Sequence, residues 1–216
     1  MKRITFVAGH YGSGKSEFSL NLAINKKVNV LVDLDIVNPY FRSREVEEKL
    51  KEFEIKLISS SLKNALGSDL PFLSSDIYLP FYNKEITAIY DLGGNDTGAK
   101  IFRQFSDLYI LEEVDLLLVI NVYREDTASK DLIIKMIQSI ESSTGIKVSG
   151  LINNSNYLRE TKVKDILKGE KIILEVAKSL NLQVVYTAVY EELVNNELKL
   201  QGEIIPMKLY LRKMWL

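Results

Sequence analysis

Gly9-His10-Tyr11-Gly12-Ser13-Gly14-Lys15-Ser16 is the stretch that decides how this chain is read. It fills every fixed position of G-x-x-x-x-G-K-[ST], the pattern of a phosphate-binding loop. The apolar run Arg3–Ala8 precedes it, and Phe18, Leu22 and Ala23 follow at helical spacing. Glycines let successive backbone N–H groups converge on phosphate oxygens, and a following helix adds its positive end. Gly9, Gly12, Ser13, Gly14, Lys15 and Ser16 are therefore expected to hold a nucleotide's phosphates. Lys15 faces the β- and γ-phosphates, and the Ser16 hydroxyl is a ligand for Mg²⁺.

Outward from the loop, short apolar runs alternate with segments of helical period. The runs are Arg3–Ala8, Val28–Val32, Ile55–Ile58, Ile86–Tyr90, Leu116–Val122, Val148–Ile152 and Val184–Val189. Between them, Val46, Leu50 and Phe53 share a helical face. So do Ile133, Met136, Ile137 and Ile140, and so does a longer series from Val163 to Leu180 that contains Leu167 and Gly169. The alternation predicts an α/β fold: a doubly wound, mostly parallel sheet of about seven strands with helices on both faces. One domain over residues 1–216 is expected.

Two runs end in acid. Val32-Asp33-Leu34-Asp35 and Tyr90-Asp91-Leu92-Gly93-Gly94 place carboxylates at strand ends, where ligands bind in an open parallel sheet. Asp91 is the expected magnesium partner, with Ser16, and Gly94 is suited to donate its N–H to the γ-phosphate. An aspartate after a strand is often only a turn or cap residue, and the phosphate loop upstream is what lifts these above that reading.

Composition removes competing functions. The 216 residues carry 28 Lys plus Arg against 29 Asp plus Glu, so a strongly basic nucleic-acid binder is disfavoured. There is no cysteine and only His10, which excludes thiolate-bound iron–sulfur clusters, cysteine nucleophiles and multi-histidine metal sites. The first apolar run is too short for an export signal, which favours the cytoplasm.

With these motifs in place, the chain resembles P-loop NTPases of the class that includes the MinD/ParA partition ATPases, dethiobiotin synthetase and the signal-recognition GTPases. It is also similar to bacterial ATP-binding proteins of the CobQ/CobB/MinD/ParA nucleotide-binding type. The resemblance implies that Asp35, in Asp-x-Asp, positions the attacking water, so Lys15, Asp35 and Asp91 form the catalytic set. It implies that an asparagine at the end of Gly150-Leu151-Ile152-Asn153-Asn154 reads the base, which makes Asn153 and Asn154 candidates. MinD/ParA loops carry a lysine after the first glycine that reaches across a homodimer; His10 stands there instead. No Asn-Lys-x-Asp or Thr-Lys-x-Asp guanine motif is present, which favours ATP over GTP. The expected function is a Mg²⁺-dependent ATPase acting as a switch on a protein or small-molecule partner. The alternatives are an ATP-dependent kinase or ligase and a non-catalytic nucleotide sensor.

Three segments carry weaker signals. Asn38–Arg44 reads as a partner or substrate loop or as a solvated loop before a helix, and Asp69–Phe81 as an irregular excursion. Glu125 and Asp126 read as helix-start residues. Residues 206–216 read as a short amphipathic helix, with Pro206 in its first turn and Met207, Tyr210, Leu211, Met214 and Trp215 on one face. Docking of that tail on the body is favoured over membrane contact.

Overall fold

The structure is a computed structural model that describes residues 1–35, 44–59, 75–93, 101–108 and 113–211. The strands are β1 (Ile4–Gly9), β2 (Val30–Asp33), β3 (Lys56–Ser59), β4 (Ala88–Asp91), β5 (Val114–Ile120), β6 (Gly150–Asn153), β7 (Val184–Tyr190) and β8 (Glu203–Met207). The main helices are α1 (Lys15–Lys26), α2 (Arg44–Glu52), α3 (Leu79–Tyr82), α4 (Lys130–Thr144) and α5 (Val163–Leu180). The eight strands form one sheet in the order β3-β2-β4-β1-β5-β6-β7-β8, and each neighbouring pair is parallel.

The unbroken apolar runs follow from burial on both faces. In β1, Ile4, Phe6 and Ala8 enter one layer and Val7 the other. In β5, Leu116, Leu118 and Ile120 join the first layer, and Leu117 and Val119 the second. Ile133 and Ile137 of α4 and Ile173 and Val176 of α5 cover the first face. Phe18 and Leu22 of α1 and Val46 and Leu50 of α2 cover the second. Phe6 anchors the first layer, stacking on Tyr90 at 4.7 Å and meeting Phe102 edge-on at 4.6 Å. The buried Tyr90 hydroxyl donates to Ile77 O at 2.7 Å, so its polar end is satisfied.

The sequence and the structure differ in places. The sheet has an eighth strand where the tail was expected to begin a helix: Pro206 and Met207 lie in β8, paired with Val189 and Tyr190. Ile205 and Met207 are buried on one face and Ile204 and Pro206, on the other, are half-buried, a strand alternation hidden by the proline. An edge strand tolerates Pro206 because the missing N–H is not needed by a second neighbour. Phe53 lies past the end of α2 and is exposed, and Leu167 is exposed on α5. Most of Asn38–Arg44, the first part of Asp69–Phe81, Met214 and Trp215 lie outside the described residues. Among the described residues, no helix is long and apolar enough to cross a membrane.

Gly169, in the middle of α5, is explained by a close approach. A Cβ there would collide with the Ser155 side chain and come within 2.9 Å of Asn153 Oδ1. In an open helix, Gly→Ala gains about 1 kcal/mol. Here Gly169→Ala should instead destabilise by about 1–3 kcal/mol through overpacking, read as a lower urea midpoint.

Candidate functional site

β1 is the pivot of the sheet, with β4 on one side and β5 on the other. The crevice outside the carboxyl ends of these strands is where an open parallel sheet takes its ligand. The 9–16 loop leaves β1 there and turns directly into α1. Gly12 and Gly14 have φ of +76° and +84°, a region that suits glycine. Gly14 is also crowded: a Cβ would lie 2.5 Å from Asn154 Nδ2. At Gly9 a Cβ would meet Ser13 Oγ at 2.7 Å and Val119 O at 2.8 Å. Ser13 Oγ is buried and has no hydrogen-bond partner among the described residues.

The loop delivers Lys15 and Ser16 onto the two acidic strand ends. Lys15 Nζ lies 3.3 Å from Asp35 Oδ2, and both side chains are about 95% buried. Ser16 Oγ donates to Asp91 Oδ2 at 2.5 Å, and Ser19 Oγ to Asp91 Oδ1 at 3.2 Å. Asp33 Oδ1 accepts the Asp35 N–H at 2.9 Å, which shapes the turn after β2. Burial raises the Asp91 carboxyl to about 6; the Lys15 ammonium and the Ser16 hydroxyl pull the other way, and the Asp35 charge adds to the rise.

Ser16 and Asp91 offer hard oxygen donors side by side, which fits a magnesium ion. No cluster of three or more His, Cys, Asp or Glu side chains suited to a metal occurs among the described residues. An ion held here would take its other oxygens from phosphate and water, the usual magnesium arrangement.

The second half of the site lies beyond the loop. Asn154 Nδ2 donates to Ser13 O at 2.7 Å, tying β6 to the loop. Asn154, Asn156, Leu158, Ala188 and Tyr190 line a cavity that opens beside Gly12, Ser13 and Gly14. Asn153 does not reach it: its amide donates to Ile166 O at 3.1 Å and accepts the Ser155 N–H at 3.1 Å. Gly94 lies outside the described residues.

Several contributors were not apparent from the sequence. Arg124 Nε donates to Gly12 O at 2.9 Å, and Asp126 Oδ2 lies 3.2 Å from His10 Nε2. The segment after β5 therefore braces the loop. Glu125 and Asp126 open a short 3-10 helix over Glu125–Thr127, as expected of helix-start residues, and α4 is capped by Ser129, whose side chain accepts the Leu132 N–H. Asn121 accepts the Tyr123 N–H and donates to Asn156 O, joining the ends of β5 and β6. The usable signal was a cation and an amide just past a strand adjacent to the loop strand.

The sequence matches no family model and no curated protein. Its fold does match solved structures. The cell division protein FtsY of Thermotoga maritima superposes with a TM-score of 0.55 at 17% identity, over 86% of this chain and 61% of that one. The signal recognition particle receptor FtsY of Elizabethkingia anophelis gives 0.55 at 15%, over 92% and 61%. Chloroplast FtsY of Physcomitrella patens gives 0.56 at 16%, over 94% and 62%. The chain thus spans about three-fifths of the length of these neighbours. The likeness is one of fold: an α/β fold built on a parallel sheet.

The raised Asp91 carboxyl has a measurable consequence. Between about pH 4 and pH 6 the folded protein keeps a proton that the unfolded chain releases, so rising pH removes stability across that window. The shift of about two units corresponds to about 3 kcal/mol. Asp91→Asn carries no such titration. Relative to wild type, it should gain stability from pH 4 to pH 6.5 in urea unfolding with chelator present.

Proposed function

We propose that this protein binds ATP with Mg²⁺ and hydrolyses the γ-phosphate to drive a conformational switch. The observation that carries this reading is the convergence of Lys15 and Ser16, at the start of α1, on Asp35 and Asp91 at two adjacent strand ends. The loop amides and Lys15 hold the phosphates. Lys15 has three donors, so it can keep Asp35 and still contact a phosphate oxygen. Ser16 and Asp91 hold the magnesium, which when bound neutralises charge on the β- and γ-phosphates. Asp35 orients the attacking water, and the Gly94 N–H stabilises the γ-phosphate.

The cavity walls support adenine. Guanine offers two adjacent N–H donors on its pairing edge, which a carboxylate best accepts. Glu17 is the acidic residue among the described lining residues, and its carboxylate already accepts the Tyr210 and Leu211 N–H groups. Asn154 and Asn156 supply neutral amides. Guanine is the rival base, because the Elizabethkingia neighbour has been solved in complex with GDP.

Lys15→Ala should lower ATP affinity or turnover by about a hundredfold while leaving the circular dichroism spectrum unchanged. Asp35→Asn should keep ATP affinity within about threefold and lower turnover by about a hundredfold. In competition titrations with labelled ATP, unlabelled ATP should displace the label at lower concentration than GTP. Unchanged binding and turnover in Lys15→Ala overturns the phosphate-loop assignment, and displacement by GTP at equal concentration overturns the choice of base.

A further inference from the structure

α1 carries a polar stripe at Glu17, Asn21 and Asn25, four residues apart and so on one side of the helix. The chain leaving β8 runs along this stripe toward the phosphate loop. Asn25 Nδ2 donates to Pro206 O at 3.4 Å. Asn21 makes two bonds to one residue, accepting the Lys208 N–H at 2.8 Å and donating to Lys208 O at 2.9 Å. Glu17 Oε1 accepts the Tyr210 N–H at 2.6 Å, and Glu17 Oε2 the Leu211 N–H at 3.1 Å.

The repeat lengths match. Four helical residues rise about 6 Å, and two extended residues span about 6.6 Å. Each turn of α1 therefore meets every second residue of the tail, and the backbones of 206, 208 and 210 face the helix. The intervening side chains go elsewhere. Met207 and Leu209 line the cavity beside Gly14, Asn154 and Ala188. Leu211 lies with Tyr11, Gly12, Lys15 and Ser16 at the mouth of the phosphate loop. Glu17 borders both spaces. It is a nearly buried carboxylate one residue after the predicted magnesium ligand, and it accepts backbone amides of the tail.

We propose that residues 207–211 form a wall of the nucleoside cavity, with Glu17 and Asn21 as the positioning residues that seat it. This rests on the nucleotide reading above and assigns the base and ribose end of that site. Met207 and Leu209 supply apolar surface for the base. Ligand and seated tail stabilise each other, because each buries surface that the other would expose.

The test uses the full chain with two probes, ADP and tripolyphosphate. Tripolyphosphate can occupy the phosphate loop but has no base or ribose. Hydrogen exchange at the Tyr210 and Leu211 amides should slow on adding ADP and remain unchanged with tripolyphosphate. Glu17→Ala should lose about tenfold in ADP affinity and less than about twofold in tripolyphosphate affinity. Glu17→Gln, which keeps an acceptor oxygen, should recover most of that loss. Leu209→Ala should show the same split between probes, and it serves if Glu17→Ala fails to fold. Equal losses for both probes, or amide exchange indifferent to ADP, overturns the wall and leaves the nucleotide reading standing. A wild-type protein that binds neither probe overturns both.

Discussion

Asp91 is a carboxylate taken wholly out of water at the end of a central strand. Such a charge persists only where hydrogen-bond donors and a cation surround it. Ser16 and Ser19 donate from α1, and Lys15 supplies positive charge nearby. These three residues lie on the first turns of one helix, so satisfying Asp91 fixes where that helix begins. The start of α1 in turn fixes the end of the glycine loop, with Gly14 in its left-handed conformation directly before Lys15. The placement of the loop, the helix and both acidic strand ends thus follows from one expensive burial.

Much of this was legible in the residues. The loop motif names its own geometry, because few sequences satisfy glycine, lysine and hydroxyl positions together between a strand and a helix. The seven apolar runs fall within a few residues of β1 to β7, since strands covered on both faces leave an unbroken signal. β8 left none: it is short, half exposed and contains Pro206, which in sequence reads as a helix start. Arg124 and Asn121 were hidden for another reason. Their partners, Gly12 and Asn156, lie far away in sequence and meet them only through the order of the strands. Asn153 and Asn154 illustrate the limit of pattern reading. They are adjacent in sequence, yet one turns into the protein and the other braces the phosphate loop.

α1 has two polar commitments on opposite sides of its first turn. One side meets the strand ends through Lys15, Ser16 and Ser19, and the other meets the tail through Glu17 and Asn21. Between them lies the apolar stripe of Phe18 and Leu22 that packs on the sheet. Polar groups at such positions weaken the hydrophobic anchoring of a helix. The compensation is specificity: each polar side chain has defined partners, so α1 has one rotational setting about its axis.

The first strand in the chain is the middle of the sheet. Ile4 pairs with Ala88 on one side and Val114 on the other, so β1 has no neighbour until residues far downstream arrive. Loop closure over such separations is entropically costly, and parallel pairing gives no local hairpin to nucleate on. The glycine loop, though close to the start of the sequence, therefore acquires its surroundings late in folding. During that interval the apolar β1 segment is exposed, and the barrier to folding lies in assembling β4, β1 and β5 rather than in forming α1. A nucleotide that requires the finished loop stabilises the product of that assembly without speeding it, so its effect on folding kinetics falls on the unfolding rate.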